Sequence, residues 1–126
     1  MVEPAVSMAR LDDIRISYVM ALIEGRFAEP CAVDELARLV NLSPSYLTRL
    51  FREQTGRSPA SFVREVRLRR AYDLVQTTFL SIKEVMAAVG WNDPSHFSRA
   101  FKRRFGVSPQ GLREALRREF AAARHA

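Results

Sequence analysis

The chain has 126 residues, enough for one domain or for two very small ones that pack together around a modest core. Hydrophobic residues make up 48% of it and charged residues 27%, as in ordinary soluble globular proteins, and no apolar run approaches the roughly 18 residues of a membrane span. One cysteine and two distant histidines exclude an internal disulfide and a structural zinc site, so we expect no metal or other cofactor and a reducing, cytoplasmic environment.

The formal net charge of +6 is unevenly distributed along the chain. Residues 1–60 carry 7 basic and 8 acidic side chains, a net charge of −1, whereas residues 61–126 carry 13 basic and 6 acidic side chains, a net charge of +7. Eighteen of the 20 cations are arginine, which suits phosphates and guanine edges better than lysine does. GC-rich coding also favours arginine, but it does not explain why the cations gather near the repeated helices described below.

The periodicity of the apolar residues predicts helices throughout. Asp12 or Asp13 is expected to cap a first helix that runs to about Arg26. The later helices are expected over residues 34–40, 44–55, 60–77, 82–89 and 94–105, and from 109 onwards. The long helix over 60–77 should bury Phe62, Val63, Val66, Ala71, Leu74 and Val75. Since no strand-like alternation is present, we predict an all-α fold of seven helices, with a first helix-turn-helix subdomain over 12–59, a linker helix over 60–77 and a second subdomain over 78–120.

The most informative feature is a repeat with a spacing of 50 residues. The segment Ser43–Arg52, followed by Gly56, returns as Asp93–Lys102, followed by Gly106. In each copy, Ser or Asp before Pro predicts a capped helix start, and the glycine predicts the helix end. Each copy is preceded by a short helix and by a turn residue that tolerates positive φ, Asn41 or Gly90. This pattern predicts two helix-turn-helix units.

Each repeated helix has an apolar face and a polar face. The buried positions are expected to be Leu47, Leu50 and Phe51 in the first helix, and Phe97, Ala100, Phe101 and Phe105 in the second. The opposite face then presents Ser45, Arg49 and Arg52 in the first helix, flanked by Tyr46 and Thr48, and Ser95, Arg99 and Lys102 in the second, flanked by His96, Ser98 and Arg103. In a helix-turn-helix, the start of the second helix reads base edges, where arginine can bind guanine O6 and N7, while later cations can meet phosphates.

These residues also have purely structural interpretations. A single exposed arginine is most often solvated surface, but Arg49 and Arg99 occupy the same register in both units, which favours a shared role in binding. The sequence leaves three roles open for His96: a base contact, a phosphate contact or packing on the turn. Trp91 and Tyr46 are expected to pack rather than to stack on a base.

The stretch from Val89 to Pro109 reads VGWNDPSHFSRAFKRRFGVSP, which is similar to the signature of the AraC/XylS family of bacterial transcription regulators. The first unit and the linker resemble this family too, so the resemblance covers about residues 12–118. It implies two recognition helices in adjacent major-groove segments of an asymmetric DNA site. The base-facing positions that it implies are Ser45, Thr48, Arg49, Pro94, Ser95, His96 and Arg99. The cations expected to contact the DNA backbone are Arg52, Lys102, Arg103 and Arg104.

We expect the chain to bind double-stranded DNA as a monomer, because it has two basic helices and no evident dimerisation segment; an activator would also contact RNA polymerase. A linker helix of about 17 residues is roughly 26 Å long, which suits two recognition helices about one DNA turn apart, on the order of 34 Å. About eleven residues precede the first predicted helix. The chain therefore resembles the stand-alone members of the family or the DNA-binding part of a longer regulator, and both readings stay open.

An enzyme and a helical protein-interaction module are the two rival classes of function. Catalysis is not expected, because Asp93, Ser95 and His96 are neighbouring positions that point in different directions and cannot form a relay. The alternative to a DNA-binding regulator is a helical protein-interaction module without specific DNA binding.

Overall fold

The structure, a computed structural model, describes residues 7–124. Over this range it contains seven helices: α1 (Met8–Gly25), α2 (Val33–Leu39), α3 (Pro44–Thr55), α4 (Pro59–Thr77), α5 (Ile82–Ala88), α6 (Pro94–Phe105) and α7 (Pro109–Ala123). No strand occurs within these residues, so the predicted all-α fold of seven helices is confirmed. None of the described helices is both long enough and apolar enough to cross a membrane.

The first helix starts earlier than the sequence predicted. α1 begins at Met8 because the Ser7 side chain accepts a hydrogen bond from the backbone N–H of Arg10 at 3.2 Å and so caps the helix. Asp12 and Asp13 lie inside α1, so the prediction that one of them caps it was wrong. Asp12 is buried instead, at 8% exposure, and its carboxylate binds side chains of α1 and α3.

The repeated helices begin and end where the repeat predicted. Ser43 and Asp93 each accept a hydrogen bond from the backbone N–H three residues later, at 3.2 Å and 3.1 Å. Gly56 and Gly106 end the helices in the left-handed conformation, with φ of 77° and 79°. Because residues with a side chain rarely adopt this φ, the two glycines determine where α3 and α6 stop.

The helices cluster into two compact units, one that ends at Arg64 and one that begins at Glu65, so α4 contributes to both. The most deeply buried side chains of the first unit include Val19, Ile23, Leu36, Leu47 and Phe51. The ring of Phe51 meets that of Phe62 edge to face, with 5.6 Å between the centroids. This aromatic contact packs α3 against the start of α4.

An aromatic cluster forms the core of the second unit. The ring of Tyr72 on α4 lies 6.1 Å from that of Phe101 and 4.5 Å from that of Phe105, measured between centroids. Phe97 lies 5.9 Å from Phe101, and Trp91 lies 5.5 Å from Phe97. These contacts fix the rotation of α6 about its own axis, and thereby decide which of its residues face outwards.

The buried face of α4 differs at one position from the prediction. Five of the six predicted residues are buried, but Leu74 is only half-buried. Leu68, which was not predicted, is buried at 5% exposure. Leu68, Ala71 and Val75 have i, i+3, i+7 spacing and therefore share the face that packs inwards, whereas Leu74 lies at its side.

Arg113 of α7 secures the end of α4. Its Nε donates to the carbonyl oxygen of Val75 at 3.2 Å, and its Nη1 donates to that of Leu80 at 2.7 Å. The last carbonyls of a helix have no intrahelical donor, and a cation is favourable at this end of the helix dipole. The guanidinium of Arg113 thus stabilises both the end of α4 and the connection to α5.

A reciprocal pair of hydrogen bonds holds the start of α5. The Ser81 hydroxyl accepts from the backbone N–H of Glu84 at 3.0 Å, and the Glu84 carboxylate accepts from the backbone N–H of Ser81 at 3.0 Å. These hydrogen bonds lower the pKa of Glu84, and the bond from the backbone of Ser81 has a larger effect than the bond with its side chain. Because the pKa of this carboxylate is lower in the folded chain than in the unfolded chain, it stabilises the fold at pH values above the unfolded pKa. This stabilisation is lost as the pH falls through the folded pKa.

We expect Ser81→Ala to lower the free energy of unfolding by about 1 kcal/mol, because the backbone N–H of Glu84 loses its acceptor. Denaturant unfolding of the full chain measures the loss. Ser95→Ala removes an exposed serine from α6 and serves as the control, with an expected change within about 0.5 kcal/mol. Equal losses in the two variants would contradict the capping role.

Candidate nucleic-acid interface

The two predicted turns have the same backbone geometry. Asn41 and Gly90 have positive φ values of 58° and 79°. The residue after each donates its backbone N–H to the carbonyl five residues earlier, at 2.9 Å and 3.0 Å. The second turn contains one additional residue, Asn92, before the cap of α6. α2–α3 and α5–α6 are therefore two copies of one helix-turn-helix arrangement, with the difference in length absorbed after the turn.

The outward face of α3 carries the predicted polar residues. Leu47, Leu50 and Phe51 pack inwards with exposures of 7% or less. On the other side, Ser45, Arg49 and Arg52 are exposed and Thr48 is half-buried. An open depression on this helix is lined by Pro44, Ser45, Thr48, Arg49, Arg52 and Glu53. The three predicted base-facing residues of the first unit thus lie on one surface.

The outward face of α6 is more basic than that of α3. Phe97 and Phe101 pack inwards at 1% and 0% exposure, whereas Ala100 and Phe105 are half-buried. The seven predicted DNA contacts of this helix are all exposed: Pro94, Ser95, His96, Arg99, Lys102, Arg103 and Arg104. The last three of these occupy the final turn, where cations also complement the helix dipole.

Arg49 contacts two neighbours on α3. Its guanidinium carbon lies 5.1 Å from the ring centroid of Tyr46, and its Nε lies 3.9 Å from Oε1 of Glu53. The side chains of Arg49 and Glu53 are 67% and 63% exposed, so water and salt screen this ion pair. The guanidinium is therefore oriented but remains accessible to a ligand.

His96 is bound to the turn that precedes its helix. The indole N–H of Trp91 donates to Nδ1 of His96 at 3.2 Å, and the two ring centroids are 5.4 Å apart. Trp91 is itself 8% exposed, in agreement with its predicted packing role. Because Nδ1 accepts this bond, the proton of the neutral imidazole lies on Nε2. The exposed His96 ring can therefore pack on the turn and still offer a donor to a ligand.

Arg104 is engaged within its own unit. Its Nε donates to both carboxylate oxygens of Glu65, at 2.8 Å and 3.1 Å, and its guanidinium lies 4.9 Å from the ring centroid of Phe105. The Glu65 side chain is only 13% exposed, so this ion pair is less screened than that of Arg49. A phosphate would have to compete with Glu65 for Arg104, whereas the structure shows no such ion pair for Lys102 or Arg103 among residues 7–124.

Sequence reasoning missed the contacts that join residues far apart in the chain. Asp12 binds Tyr46, and Glu65 binds Arg104, across separations of 34 and 39 residues. One signal could have identified the first: Asp12 lies in the same helical stripe as Ile16, Val19 and Ile23 and is therefore on the buried face of α1. A carboxylate in an apolar stripe requires a partner. The sequence around Glu65 contains no comparable signal that would predict its contact with Arg104.

Known proteins share this arrangement of helices. Residues 36–115 match a family model described as a helix-turn-helix domain. Over 95 residues the chain is 43% identical to the HTH-type transcriptional regulator GlxA of Rhizobium meliloti (strain 1021). The aligned segment makes up 75% of this chain and 29% of GlxA. The chain spans about a third of the length of the curated relatives it matches.

Two solved structures agree closely in fold. One is a transcriptional regulator with an AraC-type DNA-binding domain from Chromobacterium violaceum, with 31% identity and a TM-score of 0.76, covering 81% of this chain and 91% of that one. The other is the DNA-binding domain of the global transcriptional factor AdpA in complex with a target DNA. It has 28% identity and a TM-score of 0.77, and the match covers 83% of this chain and 95% of that one. The chain therefore belongs to the AraC family of helix-turn-helix DNA-binding domains.

Proposed function

We propose that this chain regulates transcription by placing α3 and α6 in adjacent major-groove segments of an asymmetric promoter site. The observation that carries the proposal is the matched register of Arg49 and Arg99, which are both exposed in the second turn of a helix that follows a helix-turn-helix turn. This part of the second helix is the part that reaches base edges. The DNA-bound domain of AdpA supports double-stranded DNA as the partner.

The exposed residues divide into two roles by their position along each helix. Residues in the first two turns can approach base edges, and cations near the helix end can meet phosphates. The proposed base contacts are Ser45, Thr48, Arg49, Pro94, Ser95, His96 and Arg99. The proposed backbone contacts are Arg52, Lys102, Arg103 and Arg104. Because the two sets of base contacts differ, the recognised site should be asymmetric.

The partners follow from the same proposal. Two reading helices in one chain provide what proteins with one such motif obtain by dimerising, so binding as a monomer is expected. In an activator, RNA polymerase would be a second partner. A DNA target would place the protein at the nucleoid, in the bacterial cytoplasm.

Selection of bound sequences from random DNA tests the proposal directly. We expect a salt-sensitive complex and one asymmetric consensus sequence. If no DNA complex forms even at low salt, a helical protein-interaction module becomes the better description of this domain.

We expect Arg99→Ala and Lys102→Ala to weaken binding in different ways. Arg99→Ala should weaken binding to the selected site by about 1–3 kcal/mol, roughly 5- to 150-fold in Kd, and relax the preference at one or two base pairs. Lys102→Ala should weaken binding to all sequences about equally and flatten the salt slope by about one unit, because one phosphate contact is lost.

The two variants are matched, since both remove an exposed cation from the outward face of α6. Each is titrated against the selected site, its single-base variants and random DNA at three salt concentrations. If Arg99→Ala lowers the affinity for every sequence alike, Arg99 is a phosphate contact and the assigned reading face is wrong.

A further inference from the structure

A tyrosine ties the recognition helix of the first unit to α1. The Tyr46 hydroxyl donates to Oδ2 of Asp12 at 3.0 Å, and Asp12 is only 8% exposed. The other carboxylate oxygen, Oδ1, lies 3.3 Å from Nη1 of Arg15, so both oxygens of Asp12 have partners. The hydrogen bond to Asp12 is also the main cause of the raised pKa of Tyr46, because it favours the protonated hydroxyl. Rotation of the Tyr46 side chain would deprive a buried carboxylate of its donor, which is unfavourable.

The ring held in this way lies against Arg49. The guanidinium carbon is 5.1 Å from the ring centroid, within the range of a cation–π interaction. Tyr46 and Arg49 are three residues apart and therefore neighbours on the surface of α3. The contact of Arg49 with Glu53, at 3.9 Å, is longer than a hydrogen bond and well exposed, so the ring is the better-defined support of the guanidinium.

We propose that Tyr46 is a positioning residue for base reading: its ring, anchored by Asp12, holds the Arg49 guanidinium in the orientation in which it meets DNA. The inference rests on the proposed function. An arginine side chain loses much of its rotamer freedom when it binds. If the side chain is already restricted before DNA binds, less rotamer freedom is lost on binding. This gain is largest for binding to the base pair that fits the oriented guanidinium. Tyr46 thus acts on specificity through Arg49.

The second unit supports an anchoring role at this register. His96 occupies the position that corresponds to Tyr46 in the repeat, 50 residues later. It also has a hydrogen bond within its own unit, from the indole N–H of Trp91. Two chemically different side chains at the same register are therefore both held by internal hydrogen bonds, beside the arginine that follows three residues later.

The test compares variants of Tyr46 in the full chain. The quantity measured is discrimination, defined as the Kd for a single-base variant of the site divided by the Kd for the selected site. The variant used is the one that Arg49→Ala no longer distinguishes from the selected site. Tyr46→Leu removes the ring and the hydroxyl but keeps an apolar side chain, and it should lower this ratio about three- to tenfold. Tyr46→Phe keeps the ring but loses the bond to Asp12, so a smaller fall is expected.

A double-mutant cycle separates positioning from general packing. In the Arg49→Ala background, Tyr46→Leu should leave the Kd for the selected site unchanged, because the residue through which it acts is gone, whereas a general packing role would still weaken binding. Tyr18→Leu is the matched control: Tyr18 is a half-exposed tyrosine of α1, at 52% exposure, and its replacement should not alter the ratio. Thermal unfolding of each variant establishes that it is folded.

A second measurement needs no DNA. The NMR order parameter of the Arg49 Nε–H in the free protein should fall in Tyr46→Leu and stay unchanged in Tyr18→Leu. If Tyr46→Leu changes neither this order parameter nor the discrimination, the positioning role is overturned while DNA binding stands. If the unmodified protein selects no preferred sequence, the proposed function is overturned, and the order parameter still decides whether Tyr46 holds Arg49.

Discussion

Phe101→Ala should lower the free energy of unfolding of the second unit by about 3–5 kcal/mol. Phe101 is completely buried, and its ring lies 4.8–6.1 Å from those of Tyr72, Phe97 and Phe105, measured between centroids. Truncation to alanine removes these contacts and leaves a cavity that the surrounding rings cannot fill completely. Denaturant unfolding followed by the fluorescence of Trp91, the single tryptophan, reports on this unit.

The chain offers two comparisons for this variant. Phe51 occupies the corresponding position in the first unit and is also completely buried, so Phe51→Ala should be destabilising to a similar extent. Phe79 is fully exposed, and Phe79→Ala should change the free energy of unfolding by no more than about 0.5 kcal/mol. A loss for Phe101→Ala no larger than that for Phe79→Ala would show that the aromatic cluster does not stabilise the fold.

The affinity for DNA is expected to fall steeply with salt. If about six phosphates are neutralised, log K should decrease with log[salt] at a slope near −5, which corresponds to roughly a 1000-fold weaker complex at 200 mM than at 50 mM salt. This salt dependence is expected because exposed cations on α3 and α6, especially the three in the final turn of α6, can neutralise phosphates. Titrations of the selected site at several salt concentrations give the slope, and sedimentation of the complex gives its stoichiometry. A slope shallower than about −2, or a complex that forms only with two copies of the protein, would contradict the prediction.

The sequence by itself determined the features that depend on neighbouring residues. Ser43-Pro44 and Asp93-Pro94 start α3 and α6, because capping and the restricted φ of proline act within one helical turn. Asn41 and Gly90 make the turns for an equally local reason, their tolerance of positive φ. The apolar spacing of each helix then decides which face is buried. For this reason the seven helices and the outward faces of α3 and α6 could be predicted without coordinates.

The tertiary structure decided the features that depend on partners distant in the chain. Asp12 or Asp13 was predicted to cap α1, but Ser7 is the cap, and Asp12 binds Tyr46, 34 residues away. Glu65 engages Arg104 across 39 residues, which changes the surroundings of a predicted phosphate contact. Periodicity can place a polar side chain on the buried or the exposed face of its helix, but it does not identify which other helix packs there. The partner of a buried or half-buried charge, and hence the orientation of the side chains around it, is therefore decided by the packing of the helices.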